Sequence, residues 1–118
     1  MKSAADLIAE AKARIAEVTP DEVQARRARG DAFLLLDVRE PNEWAMGHIP
    51  GATHIPRGVM ESAIEQRVPR SDEVVIYCAS GNRSALAADV LQQMGYEKVS
   101  SMRGGIRGWS DAGGDVEA

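Results

Sequence analysis

The chain has 118 residues, of which 44% are hydrophobic and 27% are charged, and its formal net charge is −4. This length and composition are typical of one globular domain with a modest core. The negative charge argues against a nucleic-acid partner. No apolar run reaches about 18 residues, which argues against a membrane-spanning protein. Charged residues interrupt the N-terminus, where a secretory signal is apolar, so we expect a cytoplasmic protein.

The first predicted element is an amphipathic helix over residues 3–18, whose apolar side chains recur at helical spacing. Ser3, followed by Asp6 three positions later, is the expected N-terminal cap. We therefore divide the chain into an N-terminal helical extension, residues 1–18, and a main domain, residues 19–118. The helix either packs on its own domain or reaches across to a second copy, so the protein is a monomer or a homodimer.

From Thr19 onwards, strand-like apolar runs alternate with segments of helical spacing. The predicted strands are residues 33–38, 53–56, 74–77 and 97–101. The predicted helices are residues 19–29, a short one from 41, 58–68, 85–94 and one from 102. This alternation indicates an α/β domain with a mainly parallel sheet. The small, acidic tail at residues 111–118 is expected to fray.

Charged residues follow the first buried run of the main domain. Asp37 and Arg39 stand at the carboxyl end of that strand, where open α/β sheets place their ligand sites. Because buried charges must be paired, they form either a structural network that supports the site or a catalytic pair, and we favour the first. His48 and His54 lack the spacing of metal ligands, so no metal or cofactor is expected. Either histidine is structural or serves as a general base.

The chain's one cysteine, Cys78, ends the apolar run Val74–Tyr77. A small polar loop containing Gly81 follows, and a helix begins after it. Backbone amides in such a loop and the positive end of a helix dipole both favour an anion. A thiolate is an anion, and so are many substrates. Cys78 is therefore the candidate catalytic nucleophile.

Three segments resemble the rhodanese family. They are residues 37–52, with Asp37-Val38-Arg39-Glu40-Pro41 and Gly47-His48-Ile49-Pro50-Gly51-Ala52; residues 75–84, around Cys78; and residues 104–109, Gly104-Gly105-Ile106-Arg107-Gly108-Trp109. Their order and spacing are similar to those of a single-domain rhodanese over roughly residues 19–114. The resemblance implies a three-layer α/β/α fold with a central, mainly parallel five-stranded sheet.

The resemblance also implies a thiosulfate sulfurtransferase that works through a persulfide on Cys78. The donor is thiosulfate or a related persulfide or polysulfide, and the acceptor is cyanide, a small thiol or a protein thiol. Arg83 holds the sulfonate oxygens of the donor or, alternatively, forms a surface or structural ion pair. Ser84 either donates a hydrogen bond to the sulfur or caps the helix. The expected substrate-binding residues are those of the loop: Ala79, Ser80, Gly81, Asn82, Arg83 and Ser84.

Two other functions are compatible with the fold that this resemblance implies. Phosphatases and arsenate reductases of related fold have a Cys-x5-Arg loop, whereas Cys78-x4-Arg83 is one residue shorter and makes a poor cradle for phosphate. Some rhodanese-like domains are non-catalytic interaction modules, which typically lack the cysteine, and a sulfur-carrier module is a further alternative. Sulfur transfer is therefore the favoured prediction.

Overall fold

The computed structural model describes residues 1–118 and contains one five-stranded sheet in which every strand pair is parallel. The strand order is β1-β5-β4-β2-β3. The strands are β1 Ala16–Val18, β2 Leu34–Asp37, β3 Thr53–His54, β4 Val74–Tyr77 and β5 Val99–Met102. The helices are α1 Ala4–Arg14, α2 Pro20–Ala28, α3 Pro41–Met46, α4 Met60–Arg67, α5 Asn82–Gln93 and α6 Gly105–Asp111, with a 3₁₀ turn at Arg57–Val59. None of these helices is long and apolar enough to cross a bilayer.

The central strand β4 is buried on both faces, as its unbroken apolar run predicts. Since side chains alternate along a strand, Ile76 and Cys78 face one layer and Val75 and Tyr77 the other. The first pair belongs to a core cluster with residues of α4 and α5. The second pair belongs to a smaller cluster with residues of α2 and α6. The predicted three-layer α/β/α architecture is confirmed.

The prediction of a single helix over residues 3–18 is wrong in its last part. The helix α1 ends at Arg14, and Ala16–Val18 form the edge strand β1, in which Ala16 is opposite Ser100 and Val18 opposite Met102. Ile15 and Val18 fit both a helical and an extended pattern. Pairing with β5 selects the extended form, because it gives hydrogen-bond partners to the backbone groups on the open side of β5. The segment 1–18 thus contributes to the same sheet as the main domain. The predicted Ser3 cap is present, since Ser3 Oγ accepts a hydrogen bond from the Asp6 amide at 3.1 Å.

The helix α1 packs on α5 of its own chain. Ala11 is fully buried, and the Arg14 guanidinium donates two hydrogen bonds to the Asp89 carboxylate, at 3.0 and 2.8 Å. At the other end of α5, Lys12 Nζ lies 3.2 Å from Asn82 Oδ1. These contacts match the interpretation of a helix packed on its domain, while the choice between monomer and homodimer stays a prediction.

The expectation that the acidic tail frays is wrong. The backbones of His48 and Glu117 exchange two hydrogen bonds, at 2.7 and 2.8 Å, and Trp109 Nε1 donates to the Asp115 carbonyl at 2.8 Å. A side chain at Gly114 would overlap the Trp109 ring, so glycine allows the tail to lie directly on it. The tail therefore docks against the turn that follows α3.

Candidate active site

Cys78 lies just after the carboxyl end of β4, where the chain turns into α5. Its Sγ accepts hydrogen bonds from the amides of Gly81 and Ser84, at 3.1 and 3.3 Å. The residue is 1% exposed. The sulfur therefore lies in a pocket of backbone donors at the start of a 12-residue helix, an arrangement that stabilises negative charge on it.

The loop around the sulfur has more amides than its own hydrogen bonds use. The amides of Ala79, Ser80, Asn82 and Arg83 have no acceptor within the protein, because the first two residues precede α5 and the last two lie in its first turn. Gly81, with φ at +100°, makes the sharp turn that turns its own amide towards Sγ. The loop can therefore bind an anion in addition to the cysteine sulfur.

The start of α6 holds this loop in place. The Ile106 amide donates to the Cys78 carbonyl at 2.9 Å, and the Arg107 amide donates to the Ala79 carbonyl at 3.3 Å. The lack of a side chain at Gly105 allows this close approach of the two backbones. A Cβ at Gly105 would lie 2.6 Å from the Ala79 carbonyl and closer still to that of Cys78.

A buried polar chain leads away from the cysteine. The Cys78 thiol donates to Ser84 Oγ at 3.4 Å, and Ser84 Oγ lies 2.8 Å from Ser101 Oγ. Both serines are fully buried. The sequence did not identify Ser101 as part of the site, although a serine in a predicted strand was the available signal. Ser101 fixes the hydroxyl of Ser84 beside the sulfur.

Arg83 forms a bidentate ion pair with Glu43 of α3, with N–O distances of 2.7 and 2.9 Å. Its hydrogen bonds to Glu43 raise the pKa of Arg83, burial opposes this rise, and attraction to Cys78 adds to it. The same hydrogen bonds hold the pKa of Glu43 down at about 2. Sequence analysis missed Glu43, which it used only as part of a short helix. The expected donor-binding arginine thus has a carboxylate partner, and its role towards substrate stays a prediction.

Asp37 and Arg39 form a buried ion pair at the end of β2. Two nitrogens of the Arg39 guanidinium contact Asp37 Oδ2, at 3.1 and 2.8 Å, and Arg39 Nη2 also donates to the Gly47 carbonyl at 2.7 Å. Burial is the largest single influence on the pKa of Arg39 and would lower it. The hydrogen bonds to Asp37, together with the attraction of Asp37 and Tyr77 for the guanidinium, outweigh burial and raise the pKa. The pair ties β2 to the end of α3, which carries Glu43. This is the geometry of a structural network.

The two histidines stack on the faces of Trp44. The ring centroid of Trp44 lies 3.5 Å from that of His48 and 4.9 Å from that of His54. His48 Nδ1 lies 3.0 Å from the Trp44 carbonyl, and His54 Nε2 lies 2.8 Å from the Arg39 carbonyl. Neither ring forms a hydrogen bond with Cys78, so neither histidine is positioned as a general base for it in this structure. No group of three or more His, Cys, Asp or Glu side chains is arranged to hold a metal ion.

The sequence profile of the rhodanese-like domain matches residues 19–112, which is most of the chain. The protein belongs to the rhodanese family. A sulfurtransferase of Allochromatium vinosum is 38% identical to this chain over 97 residues, covering 82% of this chain and 90% of the relative. These findings confirm the predicted family and its fold.

Two solved structures share this rhodanese architecture. A protein of unknown function from Rhodopseudomonas palustris, called a possible tyrosine phosphatase, is 33% identical with a TM-score of 0.90. The match covers 99% of this chain and 96% of that one, so it includes α1 and β1. A rhodanese-like domain from Anabaena is 27% identical with a TM-score of 0.82, covering 86% of this chain and 78% of that one.

Gly105→Ala is expected to destabilise the protein by about 2–3 kcal/mol, because the added methyl group would overlap backbone atoms of Cys78 and Ala79. Urea denaturation measures the loss. Gly113→Ala is the matched control, since Gly113 also has a positive φ, of +85°, but has open space around it. It should cost only the backbone strain, about 1 kcal/mol. Equal losses in the two variants would contradict the close packing of α6 on the loop.

Proposed function

We propose that the protein is a sulfurtransferase that carries sulfane sulfur as a persulfide on Cys78. The observation that carries this proposal is the position of Cys78 Sγ, held by two amides at the start of α5 beside four amides that have no acceptor. The sulfurtransferase relative of Allochromatium vinosum supports the same class of reaction. Thiosulfate or a related persulfide or polysulfide is the proposed donor.

The proposed reaction has two displacements at sulfur. The Cys78 thiolate attacks the outer sulfur of thiosulfate, the sulfur–sulfur bond of the donor breaks, and its electron pair leaves with sulfite. A persulfide anion remains on Cys78. A thiolate or cyanide then attacks the terminal sulfur, the bond to Sγ breaks, and its electron pair returns to Cys78. No oxidant or reductant is consumed.

The protein groups around Cys78 support each part of this cycle. The amides of Gly81 and Ser84 stabilise the thiolate before attack and after release. The amides without acceptors suit the terminal sulfur of the persulfide, which carries the negative charge. Arg83 suits the sulfonate group of a donor, because a guanidinium matches two anionic oxygens at once. Ser80 and Asn82 are the exposed residues of the loop, and we propose that substrates arrive across them.

The proposed partners are small molecules or a protein thiol. The chain has one cysteine, so the persulfide cannot be resolved within the chain as a disulfide, and the sulfur passes to an external acceptor. A free thiol nucleophile suits the reducing cytoplasm. No nucleic-acid or membrane partner is part of the proposal. The protein is proposed to be either a monomer or a homodimer that forms through α1.

Incubation with thiosulfate should add about 32 Da to the intact protein, the mass of one sulfur atom on Cys78. Mass spectrometry measures the gain, and peptide mapping locates it. A subsequent excess of cyanide should remove the added mass and release thiocyanate. The proposal fails if neither thiosulfate nor a polysulfide adds sulfur, a result that would favour an interaction module instead.

Phosphatase activity is the second candidate, because the structure from Rhodopseudomonas palustris is called a possible tyrosine phosphatase. The loop argues against it here, since four residues separate Cys78 from Arg83 and a phosphate needs a wider cradle than one sulfur atom. Hydrolysis of p-nitrophenyl phosphate distinguishes the two candidates. Turnover of this ester without any persulfide formation would favour the phosphatase.

A further inference from the structure

Arg83, the arginine of the sulfur-binding loop, already has an anionic partner. Both oxygens of Glu43 accept hydrogen bonds from its guanidinium, at 2.7 and 2.9 Å. The side chains are 38% and 28% exposed, so the pair lies at the accessible rim of the site rather than in the core. Arg39, by contrast, is buried and paired with Asp37. An anionic donor therefore encounters Arg83 in competition with a carboxylate of the same chain.

Glu43 binds Nη1 and Nη2 of the Arg83 guanidinium. Carboxylate and sulfonate oxygens both bind a guanidinium in a bidentate manner, so a donor that binds these two nitrogens displaces Glu43, and a donor that binds through Nε lies beside its carboxylate. Glu43 is ionised in both cases, because its pKa in the pair is about 2 and carboxyl groups are ionised at neutral pH even without a partner. The carboxylate therefore repels the donor in either position. This repulsion grows with the charge of the donor.

We propose that Glu43 is a specificity-determining residue that selects sulfur donors by charge. It disfavours dianionic thiosulfate relative to donors with one negative charge, such as thiosulfonates and small-molecule persulfides. The inference rests on the proposed sulfurtransferase function and adds to it the class of donor. Glu43 does not take part in bond making, since it acts on the donor through Arg83.

The substitution Glu43→Gln removes the negative charge of this side chain without removing its structural hydrogen bond. Glu43 Oε1 also accepts a hydrogen bond from the Glu40 amide at 2.9 Å, which caps the start of α3. The amide oxygen of glutamine can accept the same bond, so Glu43→Gln retains the cap while removing the negative charge. The variant Glu43→Met, of similar length, is a second way to remove the charge.

The experiment compares thiosulfate with methanethiosulfonate, in which a methyl group replaces one charged oxygen. Attack by Cys78 releases sulfite from the first and methanesulfinate from the second, with one sulfur transferred in both. In Glu43→Gln, kcat/KM should rise about tenfold for thiosulfate and about threefold or less for methanethiosulfonate. The ratio of the two values should therefore rise at least about threefold, and Glu43→Met should change it in the same direction.

Two further variants test the assignment. Glu65→Gln removes the same charge from α4, where Glu65 pairs with Arg70. Arg70 precedes β4, whereas Cys78 follows it, so this pair and Cys78 lie at opposite ends of that strand. It should leave the ratio unchanged. In an Arg83→Met background, Glu43→Gln should lose most of its selective effect on thiosulfate, because the contested guanidinium is absent.

The outcomes for donor choice and for sulfur transfer are distinct. An unchanged or lower ratio in both Glu43 variants would overturn the role of Glu43, even with sulfur transfer intact. An equal change in Glu65→Gln would overturn it too, because net charge alone would then explain the effect. Failure of the wild-type protein to form a persulfide with either donor would overturn the proposed function itself, and the role of Glu43 with it.

Discussion

Cys78→Ser is expected to lower sulfur transfer from thiosulfate to cyanide by at least about 10³-fold. A hydroxyl is a far weaker nucleophile than a thiolate, and no histidine contacts this position to act as a base for serine. The smaller hydroxyl can still accept hydrogen bonds from the Gly81 and Ser84 amides, so the fold should persist. Steady-state thiocyanate formation measures the change, and circular dichroism checks the fold.

Cys78→Ala is the companion to this variant. It should be as inactive as the serine variant, because both lack the sulfur that becomes the persulfide. Neither should gain mass on treatment with thiosulfate, and the chain has no second cysteine to obscure the result. Retention of activity in either variant would show that sulfur transfer does not pass through Cys78.

Arg39→Met is expected to reduce the free energy of unfolding by about 3–5 kcal/mol. Asp37 is fully buried, and loss of the guanidinium would leave its carboxylate without a cation in the interior. The variant also removes the hydrogen bond to the Gly47 carbonyl. Urea denaturation at neutral pH measures the loss, and thermal unfolding should show a matching decrease in Tm.

Two comparisons make this result specific. Arg57→Met removes the half-exposed ion pair with Glu61 and should cost less than about 1 kcal/mol. Adding Asp37→Leu to Arg39→Met should recover part of the stability, because no unpaired carboxylate is then buried. If Arg39→Met costs no more than Arg57→Met, the Asp37–Arg39 pair is not the structural network that its burial indicates.

The fold was predictable where local pattern and burial agree. The unbroken apolar runs before Asp37 and Cys78 predicted β2 and β4, and the Ser3 cap marked where α1 begins. Residues 16–18 were predicted incorrectly because three residues fit two periodicities, and only the exposed edge of β5 selects the extended form. The tail was predicted incorrectly because composition does not show that a partner backbone, at His48, lies within reach.

The site was predictable to the extent that its parts adjoin Cys78 in the sequence. A strand, a glycine-containing loop and a helix in succession bring amides to the sulfur without any distant contact. Glu43 and Ser101 come from elements 40 and 17 positions away from their partners Arg83 and Ser84. A single sequence does not show that these residues meet, because the order of the strands in the sheet decides which helices and strands become neighbours.

The sheet ends in two very short strands, β1 with three residues and β3 with two. Each outer strand therefore has few unpaired backbone groups. A strand of another molecule finds few hydrogen-bond partners there with which to extend the sheet. This limits edge-to-edge aggregation at high concentration. Any specific self-association of this protein is left to side chains on its helices rather than to backbone hydrogen bonding at the margins of the sheet.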